Sequence, residues 1–372
     1  MKKYNSDNNE IENIYHPSEA NFLLDDIQLD YDDTTVNKNG NEIGNYPYPK
    51  IAKQNDILYY IDDNSIKKID VSTIPITDDT YSMNLGCDLS QFSNVQSISV
   101  YKNYVYFLAS DNESASIYRL PTRNFGYTIG IERITECEFD DYFIIDGILY
   151  FLKSENNSAT VKQTSVYSID LNNELKELKI LDVGEQSSYK DIDLIGVDDH
   201  FIYFVNYNIE RGFSTESYVE KFTKYDISTK KTKTLVPENK MRSSSYQICD
   251  GKVYTKTSSV QLALDRVFGS ENASYYEMDF EKEKISQEVS DVASSIRYFF
   301  DSDDILISGK GAGTYTSTKA QLREGKGVKL TDDYLANPYV FDNDIFYYYD
   351  DGLYHIDCNG YNWCKIADVQ IE

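Results

Sequence analysis

The chain has 372 residues and a formal net charge of -26, with 62 acidic side chains against 36 basic ones. That excess repels nucleic-acid backbones and anionic membrane surfaces, and no run of about 18 apolar residues is available to insert in a bilayer. Tyr occurs 34 times, Phe 17 times and Pro 7 times, a balance that suits many short strands better than long helices.

Residues 1–33 hold nine acidic residues and two lysines without strand alternation, and read as an acidic leader ahead of a single domain over 34–372. Lys2 and Lys3 have no apolar stretch behind them, so the sequence predicts no secretory signal and a cytoplasmic location, with the cell surface or exterior as the alternative. Within the leader, Ser18 is a helix N-cap ahead of Ala20, Leu23, Leu24 and Ile27, which would share one face of a short helix. Such a helix is marginal alone, and Phe22, Leu23, Leu24 and Ile27 are the residues it would offer to a partner. Asn39-Gly40 is a turn signal between two short strands, and the strands near Thr34 to Ile43 are placed against the last outer strand or over the first repeat.

From about Pro49 a unit recurs: a turn of Asp, Asn or Gly, an aromatic strand, then a second strand. Its strand pairs are Asp56 to Ile61 with Ile66 to Val71, Tyr104 to Leu108 with Ser116 to Leu120, and Ile148 to Leu152 with Ser165 to Ile169. They continue as Phe201 to Val205 with Phe222 to Ile227, and Lys252 to Thr255 with Ser274 to Phe280. A degenerate unit surrounds Ile305 to Ile307, and the last has Ile345 to Tyr349, Leu353 to Asp357 and Trp363 to Ala367. The anchors Tyr60, Tyr106, Tyr150, Tyr203, Tyr254, Leu306 and Tyr347 recur every 41 to 53 residues. A unit of this length with about four strands predicts an all-β, seven-bladed β-propeller of four-stranded antiparallel blades, or six blades if the degenerate unit belongs to its neighbour.

Two insertions stand out. Residues 206–221 are a polar loop or extended hairpin, and residues 258–270 put Val260, Leu264, Val267 and Phe268 on one helical face between Ser259 and Gly269.

The runs Leu58-Tyr59-Tyr60-Ile61-Asp62 and Ile345-Phe346-Tyr347-Tyr348-Tyr349-Asp350, each followed by an Ile or Leu strand ending in Asp, resemble the YWTD repeats of low-density-lipoprotein-receptor propellers. With the segment Asn39-Gly40-Asn41-Glu42-Ile43-Gly44-Asn45 they are more similar still to an uncharacterised bacterial propeller family related to those receptors. The resemblance covers about 34–369 and implies the fold; it carries no catalytic residue, and the repeat's Trp is missing, since Trp363 lies in an outer strand.

Enzyme signatures are absent: no nucleophile elbow, no H-E-x-x-H, no phosphate loop. Gly309-Lys310-Gly311-Ala312-Gly313-Thr314 lacks the required spacing and reads as a turn. His16, His200 and His355 fall in the leader, beside a turn and inside a strand, with no triad pattern. Asp301, Asp303, Asp304, Asp342 and Asp344 are oxygen ligands by type, but Asp in turns is favoured for its own backbone hydrogen bonds, so no metal and no cofactor is expected. Of five cysteines only Cys358 and Cys364 are near one another, and they read as reduced thiols. The expected function is a non-enzymatic platform for a protein partner. A carbohydrate-binding propeller of the cell envelope, with a glycan ligand, is one alternative, and a metal-dependent lactonase-like hydrolase is the other.

Overall fold

The computed structural model describes residues 2–5, 10–13 and 19–21. Between 51 and 369 it describes all but 63–64, 75–82, 86, 93, 112–113, 124–129, 138–141, 159, 199, 212–214, 250, 259–272, 291–295, 300–303, 310–312, 319, 322–325, 332–334, 336–337, 342 and 350–351.

Antiparallel pairing of sequence neighbours builds each four-stranded unit among the described residues. The first sheet is Ile51–Gln54, Ile57–Asp62, Ser65–Asp70 and Met83–Asn84; the second is Asn94–Tyr101, Tyr104–Asp111, Ser114–Pro121 and Glu132–Cys137. The third is Tyr142–Ile145, Ile148–Asn156, Val161–Asp170 and Glu177–Ser187, and the fourth is Lys190–Val197, Phe201–Arg211, Thr215–Asp226 and Thr232–Leu235. These two join into one eight-stranded sheet through the single pair Ser187 and Lys190. The fifth is Arg242–Cys249, Lys252–Ser258, Ala273–Asp279 and Lys284–Ser290. The sixth is Ile296–Phe299, Asp304–Gly309, Gly313–Thr318 and Lys326–Thr331, and the seventh is Tyr339–Phe341, Asp344–Tyr349, Gly352–Asp357 and Cys364–Asp368. The degenerate unit is therefore a sheet of its own among the described residues.

Where their side chains are described, the second strands bury both faces, which explains their unbroken apolar reading. Phe107 packs towards the first sheet and Tyr106 towards the third; Phe151 packs towards the second and Tyr150 towards the fourth. Phe204 and Tyr203 repeat this towards the third and fifth. In the first and seventh sheets the equivalent third positions are Tyr59 and Phe346, because Tyr60 and Tyr347 face the preceding sheet. The anchor series is thus out of register by one residue at its two ends, and a shift of one flips the side chain to the other face. Tyr60, Leu58 and Ile69 of the first sheet share a core with Phe346, Leu353 and Ile366 of the seventh, so the two ends of the series meet.

The turns explain the recurring acids. Asp70, Asp170, Asp226, Asp279 and Asp357 end the third strands, and each carboxylate accepts the N–H two residues on at 2.9 to 3.0 Å. In the sixth sheet Thr318 takes this place, its hydroxyl accepting the Gln321 N–H at 3.1 Å. The Thr229 N–H and the Ser228 hydroxyl hold the Asp226 carboxyl down at about 2. Gly147, with φ of 79°, follows Asp146 in the first turn of the third sheet, where a side chain would strike the Tyr101 hydroxyl.

The leader needs a correction. Where the helix from Ser18 was expected, Glu19–Asn21 is a strand on the outer edge of the sixth sheet, with Ala20 opposite Gly327. An isolated short helix leaves most of its terminal N–H and C=O groups unpaired, and a free sheet edge pairs them. Lys2–Asn5 and Glu10–Asn13 form a further hairpin. Phe22, Leu23, Leu24 and Ile27, the strands expected near 34–43 and the helix expected over 258–270 lie outside the described residues.

Candidate functional site

The two ends of the sheets differ. At one end lie the short turns between first and second strands and the Asp-capped turns between third and fourth. At the other end the longest strands among the described residues belong to the third and fourth sheets. Ile148–Asn156 pairs with Val161–Asp170 in register from Ile148 and Asp170 to Asn156 and Lys162. Phe201–Arg211 pairs with Thr215–Asp226 as far as Arg211 and Thr215, so the 206–221 insertion is an extended hairpin.

Polar side chains cross-link these projections. The Ser154 and Thr164 hydroxyls lie 2.8 Å apart, and the Gln186 amide donates to the Asp191 carboxylate at 2.8 Å across the join of the sheets. Buried Asn206 donates to the Val183 carbonyl at 3.1 Å, while its own carbonyl oxygen has no partner among the described residues. Gly184, at φ of 143°, permits this approach, since a β-carbon there would lie 3.1 Å from the Asn206 amide nitrogen.

Between the fourth and fifth sheets the Tyr207 and Tyr246 hydroxyls are hydrogen-bonded to one another. Burial, then Tyr246 and Asp193, push the Tyr207 phenol far up, so it is neutral and acts as a hydrogen-bonding group. Arg242 pairs with Glu216 at 2.5 Å, Lys240 pairs with Glu210 at 2.5 Å, and Arg211 lies 5.8 Å from the centre of the exposed Tyr189 ring. Lys240 and Arg242 are thus each matched by an opposite charge on the neighbouring hairpin.

Asp344 is placed elsewhere, paired with Lys53 and His355 at the meeting of the first and seventh sheets. Asp304 opens a strand, and Asp301, Asp303 and Asp342 lie outside the described residues. Among the described residues no three His, Cys, Asp or Glu side chains are grouped to hold a metal. Cys358 packs on the sixth-sheet side of the last sheet and Cys364 on the first-sheet side, and both are free thiols. Gly309 and Gly313 face one another as the two ends of a hairpin. Sequence reasoning found the 206–221 projection by its length, but missed the growth of the third sheet, whose turn at Asn156, Asn157 and Ser158 leaves a shorter insertion.

No protein-family model matches the sequence, and no curated protein does. Solved structures do. The computationally designed Ika8 protein matches with a TM-score of 0.50 and 12% identity over 88% of this chain and 89% of that one. The β-propeller domain of the Trilobed protease from Pyrococcus furiosus, described as having an open velcro topology, matches at 0.52 and 11% over 88% and 99%. A puromycin hydrolase complexed with PGG matches at 0.57 and 11%, this chain covering 86% of itself and only 53% of that protein. With the sheets described above, the class is established: this chain is a β-propeller. At these identities the likeness extends to the fold alone.

Proposed function

We propose that the protein is a non-enzymatic binding platform that presents the projecting ends of its third and fourth sheets to a protein partner. The observation that carries this is the unequal growth of the repeat: a ring needs no such projection to close, and loops and edges that exceed the scaffold are where propellers and other rigid folds place recognition. The internally paired charges and the exposed Tyr189 fit a protein surface, where aromatic residues anchor contacts inside a polar rim. The leader residues Phe22, Leu23, Leu24 and Ile27 are a second contact in the same proposal. We take the blade number as seven, supported by the separate sixth sheet, and place the repeat beside the YWTD type on its aromatic strands ending in Asp.

Asn208 and Tyr218 are opposite one another in the hairpin, so replacing residues 209–217 by Asn-Gly shortens it without changing register. Capture from native lysate with wild-type and shortened protein, read by quantitative mass spectrometry, should lose a stoichiometric partner in the shortened form. Full retention would overturn the assignment of the face. Phe22→Ser, Leu23→Ser, Leu24→Ser and Ile27→Ser together test the leader in the same experiment.

A further inference from the structure

His355 lies in the third strand of the seventh sheet and is 1% exposed. Both of its ring nitrogens meet acceptors: Nε2 is 2.9 Å from Asp344 Oδ1, and Nδ1 is 3.0 Å from the Asn362 carbonyl oxygen. A neutral imidazole has one N–H, so only the protonated ring can donate to both. The other Asp344 oxygen accepts from Lys53 Nζ at 2.9 Å, and Lys53 belongs to the first strand of the first sheet. A chain of charge-assisted contacts thus runs from the last sheet to the first across the closure of the ring, beside the shared apolar core of Tyr60, Ile69, Phe346 and Leu353. The Phe346 ring covers the imidazole with centroids 5.1 Å apart.

We propose that His355 is a resident imidazolium whose proton latches the seam between the first and last sheets, so that ring closure weakens on the alkaline side of neutrality. The titratable groups facing it are Asp344 from the second strand, Cys364 from the fourth and, through Asp344, Lys53 from the first sheet. Burial opposes the charge on His355, while the Asp344 carboxylate, the Cys364 side chain and the Asn362 carbonyl favour it, and the ring is held up at about 9. His355, then Lys53, hold Asp344 down at about 2.

The direction follows from linkage. A histidine whose folded value exceeds its free value of 6.5 stabilises the closed seam fully below 6.5 and loses that contribution as pH rises through about 9. Asp344 works oppositely, contributing above 3.8 and losing its contribution as pH falls through about 2. The latch is therefore strongest between 3.8 and 6.5 and loosens above that window.

Two measurements on the full chain test it. Long-range proton–nitrogen spectra of the imidazoles at neutral pH, assigned with His355→Gln, should show two protonated nitrogens for His355; a neutral ring would overturn the proposal. Amide exchange corrected for intrinsic rate, followed from pH 6 to 9.5, should show protection at 51–54 and 345–348 falling by up to about tenfold per pH unit above 6.5, with 149–152 of the third sheet holding steady. Parallel behaviour of both regions would also overturn it. If His355→Gln fails to fold, Lys53→Met keeps the test open, because it cuts the seam while leaving the His355 proton and should lower protection at 51–54 already at neutral pH.

Discussion

The third and fourth sheets are joined by main chain, whereas among the described residues the seventh and first are joined by side chains. At the first join Ser187 pairs with Lys190 within one hairpin, and Tyr150, Leu152, Ile202 and Phe204 fill the space behind it. At the second, Lys53 and Asp344 are 291 residues apart, and the contact rests on an apolar core plus the ionic chain through His355. Local pairing needs little loop closure, whereas the distant one must offset the ordering of nearly the whole chain. That contrast explains why the charged latch sits at the seam.

The largest expected effect separates the two joins in their cores. Phe346→Ala and Phe204→Ala each remove a buried ring and should cost about 3–5 kcal/mol in urea unfolding. Only Phe346→Ala should raise exchange selectively at both ends of the chain; equal patterns would mean that the two joins fail as one unit. Next comes Asp344→Asn, which leaves Lys53 and His355 without their shared carboxylate and should cost about 2 kcal/mol at neutral pH. It should also abolish the loss of wild-type stability between 6.5 and about 9, measured as melting temperature against pH. An unchanged slope would assign that loss to other groups. The smallest change is Gly184→Ala at the continuous join, where the positive φ and the nearby Asn206 amide and Ile192 methyl oppose a β-carbon. A loss of about 1 kcal/mol is expected, without any pH dependence.

Much of this architecture was legible in the sequence, for a definite reason. Second strands such as Tyr104–Asp111 and Ile148–Asn156 are buried on both faces, so they read as continuous aromatic runs at a visible interval. The Asp residues ending third strands mark turns because their carboxylates bond the next N–H groups. The same double burial hid the register: with Tyr59 beside Tyr60, and Phe346 beside Tyr347 and Tyr348, composition could not say which ring faced forward. Of the first strands, Ile51–Gln54, Tyr142–Ile145 and Tyr339–Phe341 were missed because they are three or four residues long, too short for alternation to register. The latch was invisible because Lys53 reaches Asp344, already held by His355 within the seventh sheet, only when the first and last sheets meet.

The strand Glu19–Asn21 has a consequence in the time domain. It is synthesised long before its pairing partner Lys326–Thr331. At roughly 5–20 residues per second of synthesis, the segment must wait on the order of 15–60 seconds before its edge exists. During that interval the acidic residues around it, Asp7, Glu10, Glu12, Asp25 and Asp26 among them, give the waiting segment a like-charge repulsion from its neighbours on the polysome.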